Sequence, residues 1–128
     1  MITHKIHKNE KLISVRIKGE LDYKMLLNWH EQLQKESDYE NSFNGIVDLR
    51  GGIMKMTPAE LQKILGFIIE HEQIRGHWCY IVQTPYETAL VKSYESKSSA
   101  VHNMNVCYDI SNASRCLGFD IRPFLFAD

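Results

Sequence analysis

Apolar and polar residues change period several times along this chain, and the changes mark out alternating strands and helices. Ile13-Ser14-Val15-Arg16-Ile17 alternates strictly, which puts Ile13, Val15 and Ile17 on one face of a strand over 11–18. A second strand is predicted over 3–8. Asn9-Glu10 between the two suits a hairpin, so the first strand is expected at an antiparallel edge. The period then lengthens. Tyr23, Leu26, Leu27, His30 and Leu33 recur at helical spacing behind Asp22, a capping residue type, and predict a helix to about Glu36. Met25 and Trp29 lie beside that stripe and widen it.

Beyond Asn44-Gly45, the run Ile46-Val47-Asp48-Leu49 is short and apolar, as a buried parallel strand requires. Thr57-Pro58-Ala59-Glu60 is a helix start: Thr57 caps, Pro58 takes the first position and Glu60 closes a capping box. This helix is expected to run to about Ile74, with Leu61, Ile64, Leu65 and Ile68 facing the core. Trp78–Val82 is the next buried strand. It leads into Thr84-Pro85-Tyr86-Glu87, a second box of the same form, and a helix carrying Ala89, Leu90 and Tyr94. Asn105–Tyr108 is a short fifth strand. Asp109 or Ser111 caps a last helix through Leu117, and Gly118 is placed to end it. The order β-β-α-β-α-β-α-β-α predicts one α/β domain over 1–128. Its sheet is mixed and mainly parallel, of four to five strands, with right-handed crossovers.

Composition narrows the function. The 128 residues suffice for a core without disulfides. A formal net charge of -1 and the lack of a basic stripe argue against nucleic acid as a partner. The N-terminus MITHKIHKNE lacks the apolar region of a signal peptide, and no stretch approaches the roughly 20 apolar residues of a membrane span. A cytoplasmic protein is expected. Cys79, Cys107 and Cys116 are odd in number and widely spaced, so free buried thiols are expected; a stress-dependent Cys79–Cys107 bridge is the alternative.

Four stretches carry a family resemblance: Lys18-Gly19-Glu20-Leu21 after the hairpin; Ile46-Val47-Asp48-Leu49-Arg50 before a helix; Ile81-Val82-Gln83-Thr84-Pro85 leading into Thr88-Ala89-Leu90; and the closing helix with Ala113 and Leu117. In this order they resemble the small bacterial SpoIIAA-like, or STAS-like, proteins, including sets related to the CRAL-TRIO lipid-binding domain. The resemblance covers almost the whole chain. It implies a mixed sheet with helices packed against it and a regulatory, non-enzymatic role. Anti-sigma-factor antagonists of this family carry Asp-Ser-Ser-Gly-Leu at a helix start, where a serine is phosphorylated. The corresponding Met56-Thr57-Pro58-Ala59-Glu60-Leu61 has neither serine nor glycine. Thr57 is the one hydroxyl there, and capping accounts for it.

Catalytic and metal signatures are missing. His71-Glu72 and His77 fail the His-Glu-x-x-His spacing, so no metal site and no cofactor are expected. There is no Cys-x-x-Cys and no Gly-x-Ser-x-Gly. Gly51-Gly52 follows a strand, but neither Gly-x-Gly-x-x-Gly nor a P-loop is present, which leaves a turn. Topology then supplies the candidate site. In a parallel sheet the carboxyl ends of the strands and the following helix N-termini share one edge, where anions are favoured. That edge would gather Asp48, Arg50, Gly51, Gly52, Lys55, Thr57, Thr84, Tyr86 and Asp109. Met54 and Met56, in an expected loop over 51–56, are either an adaptable contact surface or core cover.

The leading expectation is a STAS-like binding module for a protein partner or a small apolar or anionic ligand. A carrier of a lipid or other apolar molecule and a small enzyme are the alternatives. Met25, Trp29, Phe67 and Ile69, with the tail Phe124-Leu125-Phe126, add apolar surface beyond one core stripe, and a homodimer through Trp29, Phe67 and Ile69 is expected.

Overall fold

A computed structural model describes residues 1–68, 70, 74–85, 88–89, 91–92 and 103–126. The expected hairpin is present. β1 (Ile2–His7) and β2 (Leu12–Ile17) are antiparallel, with Ile2 opposite Ile17 and His7 opposite Leu12. Next come β3 (Gly19–Asp22), α1 (Tyr23–Gln34), β4 (Asn44–Asp48), β5 (Gly52–Lys55), α2 (Pro58–Phe67), β6 (His77–Ile81), β7 (Asn103–Cys107) and α3 (Ile110–Leu117). A short 3-10 turn over Arg122–Phe124 follows. The main sheet runs β1-β2-β4-β6-β7, parallel throughout except at its β1 edge. This is the mixed, mainly parallel sheet that the alternating elements predict. Pro85, Thr88, Ala89, Val91 and Lys92 are helical, as the chain between β6 and β7 was expected to be.

Local chemistry sets the helix ends. The Asp22 carboxylate accepts the Met25 amide at 2.9 Å to start α1. At α2 the Thr57 hydroxyl accepts the Glu60 amide at 3.2 Å, and the Glu60 carboxylate accepts the Thr57 amide at 2.9 Å, completing the capping box. Asp109, not Ser111, caps α3 by accepting the Asn112 amide, and Gly118 at φ 83° ends it. α2 is α-helical to Phe67, Ile68 and Glu70 are π-helical, and Ile74 is outside the helix. The amides of Arg75 and Gly76 bond instead to the Asn41 carbonyl, at 2.8 and 3.3 Å, which ties that segment to the loop before β4.

The segment over 51–56 is not a plain loop. Gly52–Lys55 forms a two-stranded parallel ribbon with Gly19–Asp22. Gly51 turns the chain at φ +87°, and its carbonyl accepts the Gly19 amide at 3.0 Å. A Cβ on Gly52 would lie 3.0 Å from the Ile17 side chain, so the ribbon crosses close over the end of β2. Alternation within it buries Met54 and leaves Ile53 exposed. Met54 and Met56 are therefore core residues.

The sheet separates two apolar layers. Ile13, Val15, Ile17, Val47, Leu49 and Trp78 face α1 and α2. Leu12, Ile46, Cys79, Ile81 and Cys107 face α3 and the tail, where Ile121 is fully buried and Phe124 packs. One expectation is corrected here. Trp29 is only 9% exposed and belongs to the first layer, so it is not surplus surface. The tail packs on the second layer and leaves Phe124, Leu125 and Phe126 half-buried. Of the other residues expected at a dimer interface, Phe67 is half-buried and Ile69 lies outside the described residues. No helix among the described residues is long and apolar enough to cross a membrane.

Candidate functional site

Parallel pairing brings the ends of β2, β4 and β6 together. Arg16 lies opposite Asp48 across β2/β4, and Asp48 opposite Ile81 across β4/β6. Residues opposite one another project to the same face, so Arg16 and Asp48 share a side at the carboxyl edge. They line a cleft of about 320 Å³ with Arg50, Gly51, Gln83 and the tail residue Phe126. The Arg16 guanidinium donates to the Phe126 carbonyl at 3.5 Å, so the tail borders the cleft.

Asp48 is 8% exposed and fully engaged. Its Oδ1 accepts from the Arg50 amide at 3.0 Å and from Arg50 Nε at 2.9 Å, while Oδ2 accepts from the second guanidinium nitrogen at 2.9 Å. This fork-to-fork geometry holds Arg50 in one orientation. The bond to Asp48 outweighs partial burial and raises the Arg50 pKa above its ordinary value. Among the described residues that line it, the cleft sets the guanidiniums of Arg16 and Arg50 beside the carboxylate of Asp48. Such a site can hold a carboxylate or phosphate group.

Of the residues expected at this edge, Asp48, Arg50 and Gly51 meet in the cleft. Gly52 and Lys55 belong to the β3/β5 ribbon, with Lys55 opposite Asp22. Thr57 and Asp109 act as caps of α2 and α3. Thr84 is exposed beside Gln83, and its carbonyl accepts the Thr88 amide at 3.0 Å. Tyr86 lies outside the described residues, as do His71, Glu72 and Glu87. Arg16, Gln83 and Phe126 were not foreseen. Arg16 could have been found as the one charged residue of β2, at the end that must reach the functional edge.

Two other places matter for the rival readings. Between the sheet and α1/α2 lies an apolar cavity of about 60 Å³, bordered by Leu26, Trp29, His30, Leu61 and Trp78. On the opposite layer the Sγ atoms of Cys79, Cys107 and Cys116 all lie within 4.8 Å of one another. The hydrogen bond to Cys107, then burial, pushes the Cys79 thiol well above its ordinary pKa, and burial with Cys107 raises Cys116 likewise. Cys79 and Cys107 are buried, as expected, whereas Cys116 is exposed, and the three are adjacent: distance along the chain concealed a cluster.

No family model matches the chain, and no curated protein matches it. Among solved structures it is similar to the anti-sigma factor antagonist SpoIIAA in its unphosphorylated form. The identity is 13% and the TM-score 0.57, over 93% of this chain and 100% of that one. The fold is thus SpoIIAA-like, as the resemblance implies.

Proposed function

We propose that this protein is a non-enzymatic binding module of the STAS type, and that the cleft at the carboxyl edge receives an acidic or phosphorylated group of a protein partner. The observation that carries the reading is the Asp48–Arg50 pair. Its bidentate bonds present Arg50 in a fixed pose beside Arg16 and Gln83, and preorganisation of this kind lowers the cost of binding an anion. The similar SpoIIAA structure is described as that of an anti-sigma factor antagonist, which favours a regulatory protein–protein role. The same pair weighs against catalysis: with both Asp48 oxygens occupied, its carboxylate is poorly disposed to act as a general base. The cavity weighs against a lipid carrier, because about 60 Å³ is far below the roughly 300–1,000 Å³ of ordinary ligand pockets.

Native mass spectrometry of the protein isolated from its own cells tests the proposal. A complex with one protein is expected, and Gln83→Glu should dissociate it by placing a like charge at the cleft. A bound lipid mass would favour the carrier. A partner retained by Gln83→Glu and by Arg16→Gln would overturn the assignment to this cleft.

A further inference from the structure

We propose that Cys79, Cys107 and Cys116 together bind one thiophilic divalent cation of the Zn(II) class through three thiolates. The three come from separate elements. β6 and β7 pair with Cys79 opposite Asn105, so Cys107 lies one diagonal step away on the same face. α3 packs on that face and brings Cys116 to them. The Cys107 and Cys116 sulfurs are 3.8 Å apart, and all three lie within 4.8 Å of one another. Three sulfurs around one ion at about 2.3 Å would be about 4 Å apart, so the preformed spacing needs adjustments of less than about 1 Å.

The surroundings favour a divalent ion. Leu12, Ile46, Ile81, Ala113 and Ile121 make the layer apolar, and net charge is costly there. Three thiolates around a divalent ion leave one negative charge, whereas Cu(I) would leave two. Cys79 and Cys107 are buried while Cys116 is exposed, which provides an entry path and leaves a fourth position to water or a small ligand. In the binding step three S–H bonds release their protons to solvent as three metal–sulfur bonds form, with no change of oxidation state. The bound ion would join α3 to the middle of β6 and the end of β7.

The experiment is titration of the reduced, full-length protein with Zn(II), and with Cd(II) as a spectroscopic probe. One ion per chain is expected, with a thiolate-to-metal charge-transfer band and a rise in melting temperature. Cys116→Ser, an exposed change that spares the buried positions, should keep the circular dichroism spectrum, lose about a third of the band and weaken binding at least about tenfold. The proposal is overturned if the reduced protein takes up no Zn(II), or if Cys116→Ser binds as tightly as the parent. It is also overturned if air closes a Cys107–Cys116 disulfide and reduction restores no uptake.

Discussion

The Trp29 indole donates its N–H to His4 Nδ1 at 2.9 Å, and His4 Nε2 lies 2.9 Å from Glu36 Oε1. An indole N–H can only donate, so Nδ1 must accept and the ring proton sits on Nε2, facing the carboxylate. This relay fastens α1 to the edge strand β1. Trp29→Phe keeps most of the buried ring and removes the donor, so a loss of about 1–3 kcal/mol is expected in chemical denaturation. Trp29→Glu should unfold the chain outright, as a charge forced into the first core layer. A folded Trp29→Glu protein would return Trp29 to the surface.

Thr57→Ala should cost about 0.5–2 kcal/mol through loss of the α2 cap, while Thr57→Ser should be nearly neutral. Thermal melts of the two variants check this. Equal losses in both would mean that the threonine methyl group, not the hydroxyl, is what matters.

Gly45→Ala should be strongly destabilising. A Cβ at Gly45 would sit 2.2 Å from Trp78 Cδ2, on the residue directly opposite across β4/β6. Overpacking in a core costs about 1–3 kcal/mol. Trp78→Leu, itself destabilising, should make the added alanine much less harmful, and a double-mutant cycle measures that coupling.

His7 sets a pH dependence. Burial, with a smaller contribution from the Lys5 charge, lowers its pKa below the ordinary 6.5, and its Nε2 lies 3.1 Å from Ser14 Oγ. The unfolded chain therefore takes up this proton at a higher pH than the folded one. The resulting stabilisation is complete above about pH 6.5 and is lost as pH falls through that value toward the folded pKa. Urea midpoints measured across this window should fall with pH, and His7→Gln should flatten the slope. An unchanged slope would remove His7 from the account.

Much of the candidate site was legible in the residue order. Asp48 ends a short apolar strand and Arg50 follows it, and the rule that parallel strands end on one edge brings them to a cleft. Arg16 was hidden because its partner is Asp48, on a strand more than thirty residues later, and only pairing register makes them neighbours. Phe126 was hidden because a tail has no periodicity from which to read its path. The β3/β5 ribbon escaped for a related reason: four residues on each side are too few to establish a period of two, and their partners are remote.

The sequence by itself determined the helices and the strands of the main sheet, the caps at Asp22 and Thr57, the Gly118 stop and the α/β class, because each follows from contacts within a few residues of chain. Tertiary structure alone decided that Trp29, Met54 and Met56 are core, that the tail packs on the second layer, that Arg16 meets Asp48, and that three distant cysteines converge. Those outcomes depend on which strands lie side by side and in what register. Register is set by the burial of whole faces at once, so no local stretch of sequence contains it.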